Sequence, residues 1–233
     1  MSINLVKGQN SVLSLLKFSV GLGWEPNEDW SNDDFDLDVS AFLIGYNKKL
    51  LTDDYLVFYN SDPWRVSPFC VDRIEPLDEL KYPSFIIRHD SGKEEKISSY
   101  EHWRRRTRPV DPEFSVIGSI DDMDGKTSDG GDDESMDIDL SKVNSEVKEI
   151  IITVTIDKYA ERKQNFGQVD DAYVRIFNPI TKEELFKYEL NEDFSTSKAI
   201  EFCRLYRKEA EWKVQALGIG HSGGIEELVH KYN

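Results

Sequence analysis

The run Asp34-Phe35-Asp36-Leu37-Asp38-Val39-Ser40-Ala41-Phe42-Leu43-Ile44 constrains this chain more than any other segment. With the period-2 geometry of a strand, Phe35, Leu37, Val39, Ala41 and Leu43 form one apolar face and Asp34, Asp36 and Asp38 share the other. Neighbouring carboxylates on that face stand about 6.8 Å apart. Two unit charges at that distance repel by roughly 0.6 kcal/mol in water, but by about 2.4 kcal/mol at the effective dielectric of about 20 found near a protein surface. A fully solvated row tolerates this repulsion, as on an edge strand; a partly enclosed row calls for a cation.

A second acidic segment favours the enclosed case. From Asp121 to Asp139 the chain is punctuated by glycine and crowded with carboxylates. Hard oxygen donors on a flexible loop suit calcium, and glycine lets backbone carbonyls turn inward. No thiolate or imidazole occurs there, which disfavours zinc and copper. The segment is not an EF-hand. With Gly125 as its sixth residue, such a loop starts at Ile120, where an acid is needed, and ends at Gly131, where a bidentate glutamate is needed. The sequence therefore predicts a calcium site assembled from separated segments.

The chain's 233 residues suffice for one or two domains, and 39% hydrophobic with 12% aromatic residues mark it as globular. A net charge of -16 disfavours nucleic acid as the main partner and favours cations or basic partners. Cys70 and Cys203 lie far apart, in neither a disulfide framework nor a zinc spacing, which suits a reducing cytoplasm. The first ten residues do not resemble a signal peptide, and no apolar run approaches the length of a membrane span.

Most segments read as strands. Ile150, Ile152, Val154 and Ile156 alternate with Thr153 and Thr155, and residues 56–59 and 172–177 are rich in β-branched and aromatic side chains. Short strands separated by turn residues predict a mainly β sandwich of two sheets with one or two short helices. One helix is expected after Ser195 or Thr196, where Ala199, Phe202, Cys203 and Tyr206 recur at helical spacing. A second, covering an end of the sandwich, is expected after Gly223-Gly224, with Glu226 and Glu227 in its first turn.

Several short segments in this order resemble the TerD family of tellurium-resistance and stress proteins. They are Leu5-Val6-Lys7-Gly8-Gln9-Asn10, Val20-Gly21-Leu22-Gly23-Trp24, residues 34–43, Val57-Phe58-Tyr59-Asn60, Gly131-Asp132-Asp133-Glu134, Asn165-Phe166-Gly167-Gln168-Val169, and Gly218-Ile219-Gly220-His221-Ser222-Gly223-Gly224. The resemblance covers residues 1–61 and 113–233. It implies a calcium-binding sandwich that acts without catalysis in a stress-response assembly of proteins. It nominates Asp34, Asp36, Asp38 and Asn60 on one side of a calcium site and Asp132, Asp133 and Glu134 on the other. Where the family pattern has Gly-Asp-Asn upstream of the last three, this chain has Ser119-Ile120-Asp121-Asp122, so Asp121, Asp122 or Asp124 stands in as a ligand.

Residues 62–112 exceed the short connection of the family pattern. Their aromatic content and the pattern of residues 84–98 predict a small ordered insertion, α/β or a β-hairpin. The stretch His102-Trp103-Arg104-Arg105-Arg106-Thr107-Arg108 is the basic cluster of an acidic chain. Trp103, Arg104, Arg105, Arg106 and Arg108 are candidates for contact with an acidic partner or a nucleic-acid backbone, or else they pair with the protein's own carboxylates.

No histidine belongs to a metal-ligand or hydrolase signature, and His221 reads as a turn residue bonded to backbone. Cys203 reads as core, and the glycines of residues 218–224 read as turn formers rather than a phosphate cradle, because no P-loop lysine follows. The alternative to a calcium module is a metal-dependent phosphoester hydrolase using the same carboxylates, for which no general base is apparent.

Overall fold

The computed structural model describes residues 3–4, 7–25, 34–61, 73–76, 85–88, 94–97, 108–119, 131–189, 194–209 and 211–233. In chain order the strands are β1 (Ile3–Asn4), β2 (Asn10–Val12), β3 (Lys17–Gly23), β4 (Leu37–Ile44), β5 (Leu56–Val57), β6 (Arg73–Pro76), β7 (Phe85–Arg88) and β8 (Glu94–Ile97). They continue as β9 (Val116–Ile117), β10 (Glu134–Asp139), β11 (Glu149–Ile156), β12 (Tyr173–Phe177), β13 (Glu184–Glu189), β14 (Ala199–Lys208) and β15 (Glu211–His221). Two short α-helices, α1 (Tyr159–Arg162) and α2 (Gly224–Tyr232), and two 3-10 turns, Asp53–Tyr55 and Phe166–Gln168, complete the described elements.

Two six-stranded sheets face one another. The first runs β1-β13-β12-β3-β10-β9 and the second β2-β15-β14-β11-β4-β5. Pairing is antiparallel except between β1 and β13. Phe18, Val20 and Leu22 of β3 meet Leu37, Val39, Ala41 and Leu43 of β4 and Ile150, Ile152 and Val154 of β11 in the core. Burying each such side chain contributes roughly 1.5–3 kcal/mol, so these alternating rows set the register of both sheets.

Strands β4 and β11 are buried on both faces. Every residue of β4 is buried, and α2 covers part of the second sheet's outer face, where Tyr232 packs on Phe42 with ring centroids 5.2 Å apart. The helix expected after Gly223-Gly224 is therefore present, but it covers a sheet face rather than an end. Its apolar stripe is Leu228 and Tyr232, and Glu226 and Glu227 lie in its first turn.

The helix expected through Ala199, Phe202, Cys203 and Tyr206 is instead the central strand β14. Its register shifts against both neighbours between Glu201 and Cys203, as a bulge requires. A bulge breaks strict alternation, and burial on both faces makes consecutive residues apolar; together these mimic three- and four-residue spacing. The strand expected over residues 56–59 is only Leu56–Val57.

Within the insertion β6, β7 and β8 form a separate three-stranded antiparallel sheet, with the expected hairpin as β7 and β8. Residues 108–111, assigned to the insertion from sequence, are bonded into the sandwich. Val110 bridges to Ile117, and the fully buried Asp111 accepts hydrogen bonds from the backbone of Ser115 and Val116 and from the Ser115 hydroxyl.

Candidate metal site

One end of the sandwich gathers the starts of β4, β10 and β12 with the ends of β3, β11 and β15, as the antiparallel registers require. Residues 34–38, 131–134, 165–169 and 221–224 therefore share one end although they are far apart in sequence. The acidic row sits at the entry to β4. Asp36 and Asp38 are buried, 5% and 2% exposed, and Asp34 is half-buried just before the strand. The alternating row thus belongs to the enclosed case, where carboxylates must be balanced.

Glu134 approaches the entry to β4 from the other sheet. It is 2% exposed, and as the first residue of β10 it points between the sheets with Met136 and Ile138. β5 flanks β4 only at Ala41 and Phe42. Farther toward the β4 start, the Val39 N–H donates to Glu134 Oε2 at 2.8 Å. A side-chain carboxylate thereby replaces a missing strand at a buried donor, a charge-assisted bond stronger than an ordinary amide pair. Asp133 takes the Trp24 N–H at 2.9 Å, and its own N–H donates to Leu22 O at 2.8 Å.

Asp132, nominated with them, turns to the opposite side of its sheet. It accepts from Arg175 at 2.8 and 3.0 Å and from the Tyr173 hydroxyl at 3.1 Å. A Cβ at Gly21 would overlap its carboxylate, so glycine there lets Asp132 lie flat on β3. Arg175 is held above its usual pKa chiefly by its hydrogen bonds to Asp132. Burial, then the Asp132 charge, pushes the Tyr173 hydroxyl up to about 12. Asp132 is thus matched by a guanidinium and stands apart from Asp36 and Asp38. Asn60 is exposed in the turn after β5, and Asp121, Asp122 and Asp124 lie outside the described residues.

Two residues not singled out from sequence, Asp157 and Arg162, complete this end. The Asp157 N–H donates to Asp36 O at 2.9 Å, and Asp157 Oδ1 accepts from the Tyr59 hydroxyl at 3.2 Å. Arg162 donates to Asp34 O at 3.2 Å and lies 3.9 Å from Asp36 Oδ2. Asp157 carries a sequence signal, since it follows the alternating strand Ile152 to Ile156; Arg162 carries none.

Whether these residues suit a calcium ion is decided by the donor set and by two buried hydroxyls. Asp36, Asp38, Asp133 and Glu134 supply hard carboxylate oxygens, and among the described residues no soft ligand adjoins them. Ser40 and Thr153, paired across β4 and β11, are fully buried, and neither hydroxyl has a hydrogen-bond partner in the structure. Ser40 stands two residues from Asp38, on the same face of β4, so the polar row continues inward. Among the described residues, however, no three His, Cys, Asp or Glu side chains are gathered closely enough to hold a metal ion. The set fits calcium in chemistry.

The basic cluster divides. Arg108 is bound within the sandwich, donating to Gly118 O at 2.5 Å, Asp137 Oδ2 at 2.7 Å, Ser135 O at 2.9 Å and Ile117 O at 3.2 Å. It therefore serves the protein's own carboxylate and carbonyls rather than a partner. Trp103, Arg104, Arg105 and Arg106 lie outside the described residues.

His221 is bonded not to backbone but to two carboxylates, with Nε2 2.7 Å from Glu201 and Nδ1 3.0 Å from Glu227. Glu201 also takes Lys231 and the Tyr232 hydroxyl. Hydrogen bonding to Glu201 holds the His221 pKa above its usual value. Burial pushes Glu201 up, but its bonds from His221, Lys231 and Tyr232 prevail and hold it low. Cys203 is core, with its thiol pushed up by burial.

Comparison with known proteins agrees with this architecture. The TerD domain pattern matches residues 1–65 and 107–232. Over its whole length the chain is 35% identical to uncharacterized protein YceE of Bacillus subtilis, covering 98% of that protein. It is also 33% identical to general stress protein 16U of Bacillus subtilis and 33% identical to tellurium resistance protein TerD of Serratia marcescens, covering 97% of each. A solved homologue of telluride resistance protein (TerD) from Streptomyces coelicolor A3(2) superimposes with a TM-score of 0.60 at 14% identity, over 91% of this chain and 94% of that one. The chain belongs to the TerD family of tellurium-resistance and stress proteins.

Proposed function

We propose that the protein is a calcium-binding, non-catalytic stress-response module of the cytoplasm that works through other proteins. The observation that carries this reading is the Glu134 carboxylate reaching across from one sheet to the Val39 N–H of the other, at the end of the sandwich that also holds the buried Asp36 and Asp38. Asp36, Asp38, Asp133 and Glu134 would hold the ion, with Asp121, Asp122 or Asp124 as further donors. Bound there, calcium would supply positive charge and oxygen coordination that offset carboxylate repulsion. Arg162 would keep the Asp34 carbonyl turned from the ion, and Asp157 would fix the entry to β4. The hard carboxylate donors of Asp36, Asp38, Asp133 and Glu134 support a binding role. The inserted segment, residues 62–107, would carry partner specificity through Trp103, Arg104, Arg105 and Arg106. Among the described residues no helix is long and apolar enough to cross a membrane.

Thermal melts in chelator and in graded calcium test this. Calcium at 100 times its dissociation constant should add about 2.7 kcal/mol for one site. A midpoint that does not move between chelator and millimolar calcium overturns the reading.

A further inference from the structure

The glycines of residues 218–224 form more than turns. Gly218 and Gly220 lie inside β15, and Gly218 adopts φ +55° where the β14–β15 register shifts. They border a cavity of about 450 Å³ whose described lining is Lys7, Tyr188, Phe194, Ser197, Gly218 and Gly220. That volume lies in the range of small-molecule sites. Gly218 is buried and Lys7 is exposed.

Both glycines are required by the groups that line the cavity. A Cβ on Gly218 would stand 2.8 Å from the Tyr188 hydroxyl, and one on Gly220 would overlap the Ser197 hydroxyl. Two aromatic rings form a wall, Tyr188 and Phe194, with centroids 6.2 Å apart and planes tilted by 52°. The Lys7 ammonium has no carboxylate partner among the described residues, although the chain carries 45 acidic and 29 basic side chains. An ammonium and a serine hydroxyl beside an aromatic wall match a small organic anion, with its charge toward Lys7 and its flat body on the rings.

We propose that this cavity is a second ligand site, independent of the metal site, which takes a small planar organic anion, a carboxylate or a phosphate ester, through Lys7 and Ser197. The positive φ of Gly218 and the bulge beside it open the site, as bulges do where a strand is re-aimed toward a ligand.

The test is a two-dimensional amide NMR titration of the full chain with four probes: phenyl phosphate, benzoate, phenol and inorganic phosphate. The expected result is saturable shifts at the Ser197, Gly218 and Gly220 amides with phenyl phosphate or benzoate, at a dissociation constant of about 1 mM or tighter. Saturation by only one of the two identifies the anion; phenol and inorganic phosphate should each bind more weakly. Lys7→Gln, at an exposed position, should weaken binding about fivefold, as expected for losing one surface charge contact. Ser197→Ala should weaken it further when combined. Absence of saturable shifts with both charged ring probes overturns the proposal. So does phenol binding as tightly as they do, or an affinity unchanged in both variants.

Discussion

The two ends of the sandwich solve the problem of buried charge in opposite ways. At the end holding residues 144 and 111–116, Asp111 and Glu113 are held by donors of the protein, with only Glu113 Oε2 lacking a hydrogen-bond partner. Asp111 takes three hydrogen bonds from Ser115 and Val116, and Glu113 takes the Tyr55 hydroxyl and the Asn144 amide at 2.8 Å each. At the end holding the β4 entry, Asp36, Asp38 and Glu134 are about as deeply buried, Arg162 stands 3.9 Å from Asp36 Oδ2, and the hydroxyls of Ser40 and Thr153 lack hydrogen-bond partners. Three hydrogen bonds from Ser115 and Val116 mark Asp111 as structural, whereas two fully buried, unmatched hydroxyls beside the acidic row fit an arrangement for something outside the chain.

The sharpest way to break this contrast is to remove one acid from each end. Asp111→Ala strips three buried hydrogen bonds and should cost about 3 kcal/mol in urea unfolding, equally with and without calcium. Glu134→Ala leaves the Val39 N–H unanswered and should cost about 2 kcal/mol in chelator, and more in calcium because the ligand is also gone. Equal calcium dependence in the two variants would erase the distinction between the ends.

Trimming the insertion sharpens its boundary. Deleting residues 62–107 with a short flexible linker keeps Arg108 and Asp111 and should leave a folded sandwich, because closure entropy grows slowly with loop length. Deleting 62–112 removes both anchors and should lower stability by about 3 kcal/mol or more, read by the same urea transitions.

A smaller effect separates α2 from both ends. The raised His221 pKa means its contribution is complete below pH 6.5, its unfolded value, and fades as pH rises through the higher folded value. Glu201 and Glu227 titrate lower in the fold, so their contribution is complete above 4.5 and fades as pH falls through the folded values. Stability of α2 docking should therefore peak between these limits, and His221→Gln should flatten the alkaline side, at a cost of about 1 kcal/mol at pH 6. Hydrogen exchange of the α2 amides across pH checks it; an unchanged alkaline slope in the variant would assign the loss elsewhere.

Much of this was legible in sequence because strands report themselves by alternation. Residues 34–44 and 149–156 show the core rows directly, and the family resemblance brings Asp133 and Glu134 to the end that holds the β4 entry. The β14 strand was misread because its bulge and two buried faces hide the period of two. The outward turn of Asp132 could not be read either, since it depends on Arg175, paired with Gly21 two strands from the loop. Arg108 looked like one arginine of a basic run, and only tertiary structure brings Gly118, Ser135 and Asp137 around it.

The central claim is that the β4 entry and the start of β10 form one calcium site. Calorimetric titration of calcium into the wild type, Asp38→Asn and Asp111→Asn tests it most directly. The account predicts saturable binding in the wild type and in Asp111→Asn, and at least about tenfold weaker binding, 1.4 kcal/mol, in Asp38→Asn. No calcium binding to the folded wild type, or equal affinity in Asp38→Asn, would contradict it.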